Sequence, residues 1–270
     1  MTSRRIASSL FLIALCAVGI LVNWVFGALI IFFVVAGLYE FFTLVEKKGI
    51  QIYKYFGIII GTLIPLSVYF SVFRGFELTR KWELLFIVLL FVVIFLIQFT
   101  RRDNRGAVEG VSTLLFGILY IAWLFSFLIK LRGLPNGLGL IATLLLITKS
   151  GDIGAYLIGT KWGKHRLIKR ISPKKSIEGS IGGIVFSALA AMASKLFIPG
   201  FSYVHLLLMG MFLGVLGQLG DLSESLIKRD CQTKDSGAVV PGMGGILDVI
   251  DSLLFTAPAF YFYMSIFIIQ

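Results

Sequence analysis

Long apolar runs are the feature that most limits what this chain can fold into. Nine such segments are present, at residues 6–22, 24–45, 55–73, 84–99, 111–129, 138–159, 177–194, 203–220 and 250–269. A helix needs about 20 apolar residues to cross the hydrocarbon core of a bilayer, and each segment is close to that length. The pattern therefore predicts an all-α polytopic membrane protein with about nine transmembrane helices.

The first apolar segment follows Arg4 and Arg5, as the apolar part of a signal peptide would. It has no small-residue cleavage site and leads directly into the second segment, so we interpret it as a helix. The break at Asn23 and Trp24 leaves a tight hairpin or a re-entrant element as the alternative path for residues 6–45.

Composition agrees with a membrane protein. Hydrophobic residues make up 58% of the chain and charged residues 14%, whereas about 25% of the residues in ordinary soluble domains are charged. A soluble core of this size cannot hide so much apolar surface. The formal charge of +11 would suggest nucleic acid in a soluble protein. Here basic cytosolic loops that touch anionic lipid headgroups explain it, so no nucleic-acid partner is expected.

The basic residues are distributed unevenly along the chain. With the N-terminus in the cytosol, 18 of the 25 Lys and Arg residues fall in cytosolic segments and 6 fall outside. Because such an excess marks the cytosolic side, we predict an inner-membrane protein with a cytosolic N-terminus and an external C-terminus. Loops 160–176 and 221–249 then face the cytosol, and they do so even if residues 6–45 cross only once.

Polar residues concentrate in the second half. We expect residues 1–135 to form a transmembrane scaffold with a lipid-facing or oligomer surface, and residues 136–270 to form the catalytic region. The eighth apolar segment should continue as a helix to about residue 229, which places Asp221, Glu224, Ser225 and Lys228 on one face. The simpler interpretation is a solvated helix decorated by a Glu224–Lys228 pair.

Asp248 and Asp251 lie three residues apart, next to the last apolar segment. Charges beside an apolar span are costly and usually functional. Clustered carboxylates suit Mg²⁺, which often bridges to substrate phosphates. Glycines just before this helix allow a ligand to approach its N-terminus closely. Lys228, Arg229 and Lys234 supply positive charge for phosphate oxygens.

A second polar group surrounds the sixth apolar segment. Lys149 and Asp152 are spaced to pair, either as a structural ion pair or as the wall of a site. Ser172 and Pro173 resemble a helix cap followed by its first residue. Lys174 and Lys175 would then lie near a helix start, where they would hold a polyphosphate or anchor the loop to the membrane surface.

These blocks together resemble the phosphatidate cytidylyltransferase family, also called CDP-diacylglycerol synthases. The blocks that match the C-terminal family pattern are Ser225–Arg229, Lys234–Gly237 and Pro241–Ser252. Two further blocks upstream, around Asp152–Tyr156 and Ser172–Gly179, are also similar. The likeness is specific over about residues 150–252 and only topological before them.

Two positions depart from the family pattern. Met243 stands where the family has His, and Val249 stands where it has Arg. The acidic residues of the pattern are all retained.

The resemblance implies transfer of the cytidylyl group of CTP to phosphatidic acid, giving CDP-diacylglycerol and pyrophosphate. It implies Mg²⁺ held by Asp221, Asp248 and Asp251, with room for a second cation, K⁺ or Mg²⁺, and for a homodimer. The expected catalytic residues are Asp221, Lys228, Arg229, Asp248 and Asp251. The expected substrate-binding residues are Asp152, Lys174, Lys175, Ser225, Lys234, Asp235, Ser236, Gly244 and Gly245.

Two other functions remain open from the residues alone. A CTP-dependent lipid-alcohol kinase would use similar nucleotide contacts but transfer the γ-phosphoryl group. A secondary transporter would account for Lys149 and Asp152 within glycine-broken helices, although no second half repeats the first. A CDP-alcohol phosphotransferase is disfavoured because its Asp-Gly-x-x-Ala-Arg pattern is missing.

Overall fold

The described part of the chain contains eight long helices, a short 3₁₀ turn at Ser194–Leu196 and one small hairpin. The computed structural model describes residues 19, 21–75, 80–100, 104–237 and 244–268. The helices are α1 (Asn23–Lys47), α2 (Lys54–Arg74), α3 (Arg80–Gln98), α4 (Ala107–Gly133), α5 (Gly137–Trp162), α6 (Ile177–Ala193), α7 (Tyr203–Asp230) and α8 (Leu247–Ile268). Strands β1 (Arg166–Ile168) and β2 (Ser172–Ser176) form the antiparallel hairpin.

Seven of the described helices are long and apolar enough to cross a membrane. Helix α3 has a shorter apolar part, Leu85–Gln98. The predicted all-α polytopic class is therefore confirmed. The number of nine helices and the orientation of the termini stay predictions, because most of the first segment, 6–22, lies outside the described residues.

The hairpin corrects one expectation from the sequence. Ser172 and Pro173 do not start a helix; both lie in strand β2. Helix α6 begins at Ile177, and the hydroxyl of Ser176 caps it by accepting a hydrogen bond from the Gly179 N–H at 3.1 Å. A proline is tolerated here because a short two-stranded ribbon leaves N–H positions that need no ladder partner.

The chain divides into two compact units, each with its own packing. The first unit comprises the chain up to Lys130 together with Cys231–Leu247. Its helices approach each other where glycine meets an aromatic ring: a Cβ on Gly57 would lie 2.8 Å from the Phe42 ring. Helix α4 contains a π-helical turn, Ile118–Trp123, that packs on α1 and α2.

The second unit comprises Leu131–Asp230 and Asp248–Gln270. Helices α5, α6 and α7 pack through small residues, an arrangement that lets transmembrane helices approach closely. Gly179 of α6 packs against Gly159 of α5, since a Cβ on Gly179 would lie 3.0 Å from the Cα of Gly159. Helix α7 continues to Asp230, as the sequence predicts.

Replacing Gly210 with alanine should destabilise the second unit. The added Cβ would lie 2.7 Å from the Cα of Ala188 and 2.8 Å from the carbonyl oxygen of Ser187, so α6 and α7 must separate. Overpacking of this kind costs about 1–3 kcal/mol. We expect the thermal unfolding midpoint in detergent to fall by several degrees.

Gly200→Ala is the matched control, because a Cβ there meets nothing within 4 Å. Equal midpoints for the two variants would contradict the close packing of α6 on α7.

Candidate active site

A cavity of about 610 Å³ lies in the second unit, beside the hairpin. Its wall includes Asp152 from α5, Lys174 and Lys175 from β2, and Asp221 from α7. These residues come from three segments that are widely separated in the chain, and each is a predicted site residue. The fold therefore brings together two acids and two lysines at one concave surface.

Asp221 and Lys175 form the closest ion pair of the cavity wall. The Nζ of Lys175 lies 2.5 Å from Oδ2 of Asp221, and both side chains are partly exposed. The pair joins the hairpin to the polar end of α7. A lysine and a carboxylate that share a cavity wall offer one contact for a phosphate and one for a cation.

Asp152 and Lys149 form a second pair, within one helix. Their charged atoms are 3.2 Å apart, and about half of each side chain is exposed. The two interpretations drawn from the sequence both apply to Asp152, since it is ion-paired and also lines the cavity.

A third cluster is buried and centres on Lys228. Its Nζ lies 2.5 Å from Oε2 of Glu224 and 2.5 Å from Oδ1 of Asp248. Glu224 has only 1% of its side chain exposed. The predicted Glu224–Lys228 pair is thus present within α7, but it is buried and not a surface decoration. The same lysine joins α7 to α8 through Asp248.

Asp251 of α8 is a further buried acid that interacts with charged residues of the cavity wall. It is buried, and its Oδ1 accepts a hydrogen bond from the Ser252 N–H at 2.6 Å. Its carboxylate interacts electrostatically with Asp221, Asp152 and Lys149. Gly220 allows α7 to approach α8 closely here, because a Cβ added at this position would lie only 3.1 Å from the Cα of Ser252.

The acidic residues suit a hard cation by their chemistry, because carboxylate oxygens are the ligands that Mg²⁺ prefers. Within the described ranges, however, no three acidic, histidine or cysteine side chains are close enough to hold a metal ion by themselves. Asp248 is ion-paired with Lys228, and Asp221 is ion-paired with Lys175. The magnesium site at Asp221, Asp248 and Asp251 stays a prediction.

Two further predicted residues of α7 lie apart from the cavity wall. Arg229 donates from Nε to the carbonyl oxygen of Ile171 at 3.2 Å and so ties α7 to the turn of the hairpin. Ser225 is half-buried on α7. The predicted contacts of Arg229 and Ser225 with substrate stay predictions.

The remaining predicted residues belong to the first unit. Lys234 and Asp235 are exposed, whereas Ser236 and Gly245 are buried around the carboxylate of Glu40. Gly244 has a φ of 106°, a backbone conformation that favours glycine. Of the two departures from the family pattern, Met243 lies outside the described residues, and Val249 is half-buried on α8.

Sequence reasoning missed several polar residues that help to build these sites. Arg166 and Gln218 line the cavity, and Gln218 donates from Nε2 to the carbonyl oxygen of Ser180 at 2.9 Å. Glu178 holds the start of the hairpin, since it accepts from the N–H of Lys164 at 3.0 Å and lies 2.6 Å from Nδ1 of His165. Glu40 could have been recognised from the sequence as a candidate functional residue, because it is a carboxylate within an apolar segment.

Comparison with known proteins identifies the family of this chain. The model of the cytidylyltransferase family matches residues 3–267. The chain is 36% identical to the phosphatidate cytidylyltransferase of Bacillus subtilis (strain 168), over 85% of each chain. It is 32% identical to the phosphatidate cytidylyltransferase of Synechocystis, over 98% of this chain and 97% of the relative.

A third relative is the uncharacterized protein YnbB of Escherichia coli (strain K12), which is 35% identical over 74% of this chain and 68% of its own length. Together with the apolar helices, these relatives identify a polytopic membrane enzyme of the transferase class. The chain belongs to the cytidylyltransferase family, and the predicted resemblance is confirmed.

Replacing Lys228 with methionine should destabilise the second unit strongly. Glu224 and Asp248 would be left facing each other without the cation that joins them. Breaking a buried ion pair from one side costs about 3–5 kcal/mol. We expect a large fall in the thermal unfolding midpoint, partly reversed in the double variant Lys228→Met/Glu224→Gln.

Lys149→Met is the control, because it removes a lysine from a half-exposed pair. Such pairs contribute at most about 1 kcal/mol. A Lys228→Met midpoint no lower than that of Lys149→Met would show that the buried bridge does not hold α8 to α7.

Proposed function

We propose that this protein transfers the cytidylyl group of CTP to phosphatidic acid and releases pyrophosphate. The observation that carries the proposal is the cavity lined by Asp152, Lys174, Lys175 and Asp221, in a chain whose relatives are named phosphatidate cytidylyltransferases. The names of these relatives favour this reaction over the kinase and transporter alternatives.

The cavity suits a nucleoside triphosphate in size and in charge. Ligand pockets commonly have volumes of about 300–1,000 Å³, and this one has about 610 Å³. A triphosphate carries several negative charges, and Lys174, Lys175 and Arg166 provide three cations on the wall. Lysines act as point charges for phosphate, and arginine adds directional hydrogen bonds.

The chemistry is a substitution at the α-phosphorus of CTP. A phosphate oxygen of phosphatidic acid forms a new bond to that phosphorus, and the bond from phosphorus to the oxygen that bridges to the β-phosphate breaks. Pyrophosphate leaves with the bonding electrons, and CDP-diacylglycerol forms. Phosphatidate is already anionic near neutral pH, so the protein has little need of a strong base. Its main task is to hold two polyanions together, which Lys174 and Lys175 support by neutralising charge.

Mg²⁺ would be held by Asp221 and Asp251, with Asp248 as the third predicted ligand. One or two carboxylates together with substrate phosphates are the usual environment of Mg²⁺, so a complete set of protein ligands is not required beforehand. When bound, the ion neutralises phosphate charge and orients the leaving group. A second cation, K⁺ or Mg²⁺, and a homodimer belong to the same proposal.

We place the reaction at the cytosolic face of the cytoplasmic membrane. The bias of Lys and Arg supports this orientation, because loops 160–176 and 221–249 are among the segments it assigns to the cytosol. CTP is a cytosolic nucleotide and phosphatidic acid lies in the leaflet. The two substrates therefore meet only at the interface.

A product assay tests the proposal directly. Purified protein in detergent is supplied with CTP, phosphatidic acid and Mg²⁺, and the lipid and nucleotide products are separated. We expect CDP-diacylglycerol and pyrophosphate in equal amounts, and no turnover when Mg²⁺ is chelated.

A relative with demonstrated activity serves as the positive control in the same detergent. CDP together with a phosphorylated lipid alcohol, when that alcohol is offered, would instead identify a CTP-dependent kinase. No CDP-diacylglycerol while the control relative is active would overturn the proposal.

Lys175→Met should weaken the use of CTP. The substitution removes a cation from the cavity wall and leaves Asp221 without its partner, so phosphate charge is less well neutralised. Hydrogen bonds to charged groups contribute about 1.5–3 kcal/mol, which corresponds to a loss of about tenfold or more in kcat/KM for CTP. Steady-state kinetics with varied CTP measures the change.

Lys161→Met is the matched control. Lys161 lies over the ring of Trp162, 4.8 Å from its centroid, and does not line the cavity. We expect kcat/KM for CTP to change less than twofold. Equal losses in the two variants would mean that the cavity does not bind the nucleotide.

A further inference from the structure

Glu40 is a carboxylate enclosed in the first unit. It lies in the apolar helix α1, and only 3% of the residue is exposed. Burying an ionised carboxylate is costly unless hydrogen bonds or opposite charges compensate it. The contacts of Glu40 therefore show what holds it there.

Three groups of one segment donate hydrogen bonds to this carboxylate. Oε1 accepts from the backbone N–H of Ile246 at 2.9 Å. Oε2 accepts from the backbone N–H of Leu247 at 2.9 Å and from the hydroxyl of Ser236 at 3.1 Å. Glu40 thus joins both ends of the stretch between Ser236 and Leu247.

Two glycines of the same stretch make room for the carboxylate. A Cβ on Gly237 would lie 2.8 Å from the Cδ of Glu40, and a Cβ on Gly245 would lie 2.7 Å from it. Real side chains do not approach this closely, so a larger residue at either position would displace the carboxylate or the backbone. These family-pattern glycines therefore accommodate a protein carboxylate, and that role is visible only in the structure.

The two backbone donors lie at the start of α8. The first N–H groups of a helix have no acceptor within the helix. A carboxylate satisfies them and interacts favourably with the partial positive charge of the helix N-terminus. The helix N-terminus that the sequence predicts to be open to a ligand is therefore occupied by Glu40 at these two N–H groups.

We propose that Glu40 is a positioning residue for the transfer reaction. It fixes Ser236 and the Ile246–Leu247 backbone, and with them the segment that carries the predicted substrate-binding residues Lys234 and Asp235. An apolar side chain at this position would leave the N–H groups of Ile246 and Leu247 without their acceptor, so the carboxylate is what holds this backbone in place. The inference rests on the proposed function, because it concerns the same reaction.

Glu40→Gln is the decisive variant. Glutamine keeps the shape but replaces one acceptor with an NH₂ group that faces an N–H donor. We expect the amides of Ile246 and Leu247 to exchange with deuterium at least tenfold faster, and the KM for CTP to rise at least fivefold. Loss of folded protein alone would lower the apparent kcat and leave KM unchanged.

Glu46→Gln is the matched control in the same helix. Glu46 is partly exposed, and its carboxylate pairs with Lys54 at 3.4 Å. We expect unchanged exchange at Ile246 and Leu247 and a KM for CTP within twofold of the wild type. An inactive wild type would refute the proposed function, whereas an active wild type with unaltered exchange and KM in Glu40→Gln would refute only the role of Glu40.

Ser236→Ala keeps the test decisive if Glu40→Gln does not fold. It removes one hydrogen bond to Oε2 and leaves both backbone donors in place. We expect the two amides to exchange about two- to fivefold faster, with a smaller rise in KM than in Glu40→Gln. Wild-type exchange in folded Ser236→Ala would overturn the proposal.

Discussion

Charge compensation beside apolar helices is the constraint on which the polar parts of this protein depend. A charged side chain taken from water is costly unless an opposite charge or several hydrogen bonds accompany it. Lys228 meets this condition for Glu224 and Asp248 together, and Glu40 meets it through three hydrogen bonds. Each compensated group connects segments that are distant in the chain. The ion pairs and hydrogen bonds that compensate these charges therefore also hold the polar regions in place.

Small residues set how closely these charges can be placed. Gly220 lets the backbone of α7 approach that of α8 next to Asp221 and Asp251. Gly159 and Gly179 do the same for α5 and α6 beside the cavity. Carboxylates on separate helices share an electrostatic environment only because no side chains separate the backbones at these points.

The membrane helices and the family could be predicted from the sequence, because apolar length and linear motifs are local properties. The stripe of Asp221, Glu224 and Lys228 was likewise predictable from helical spacing. The partner of each charge was not, since Lys175 reaches Asp221 from a strand that the sequence suggested was a helix start. The partners of Glu40 were not predictable either, because they are mainly backbone groups more than 200 residues away, which leave no pattern in the sequence.

Lys175 and Asp221 neutralise each other's charge at the cavity wall. A cation that binds Asp221 releases the ammonium of Lys175, and a phosphate that binds Lys175 releases the carboxylate of Asp221. Each ligand thereby frees the contact that the other needs. Since coupling between two binding events is reciprocal, cation and phosphate should bind cooperatively at this wall, each strengthening the other by the same factor.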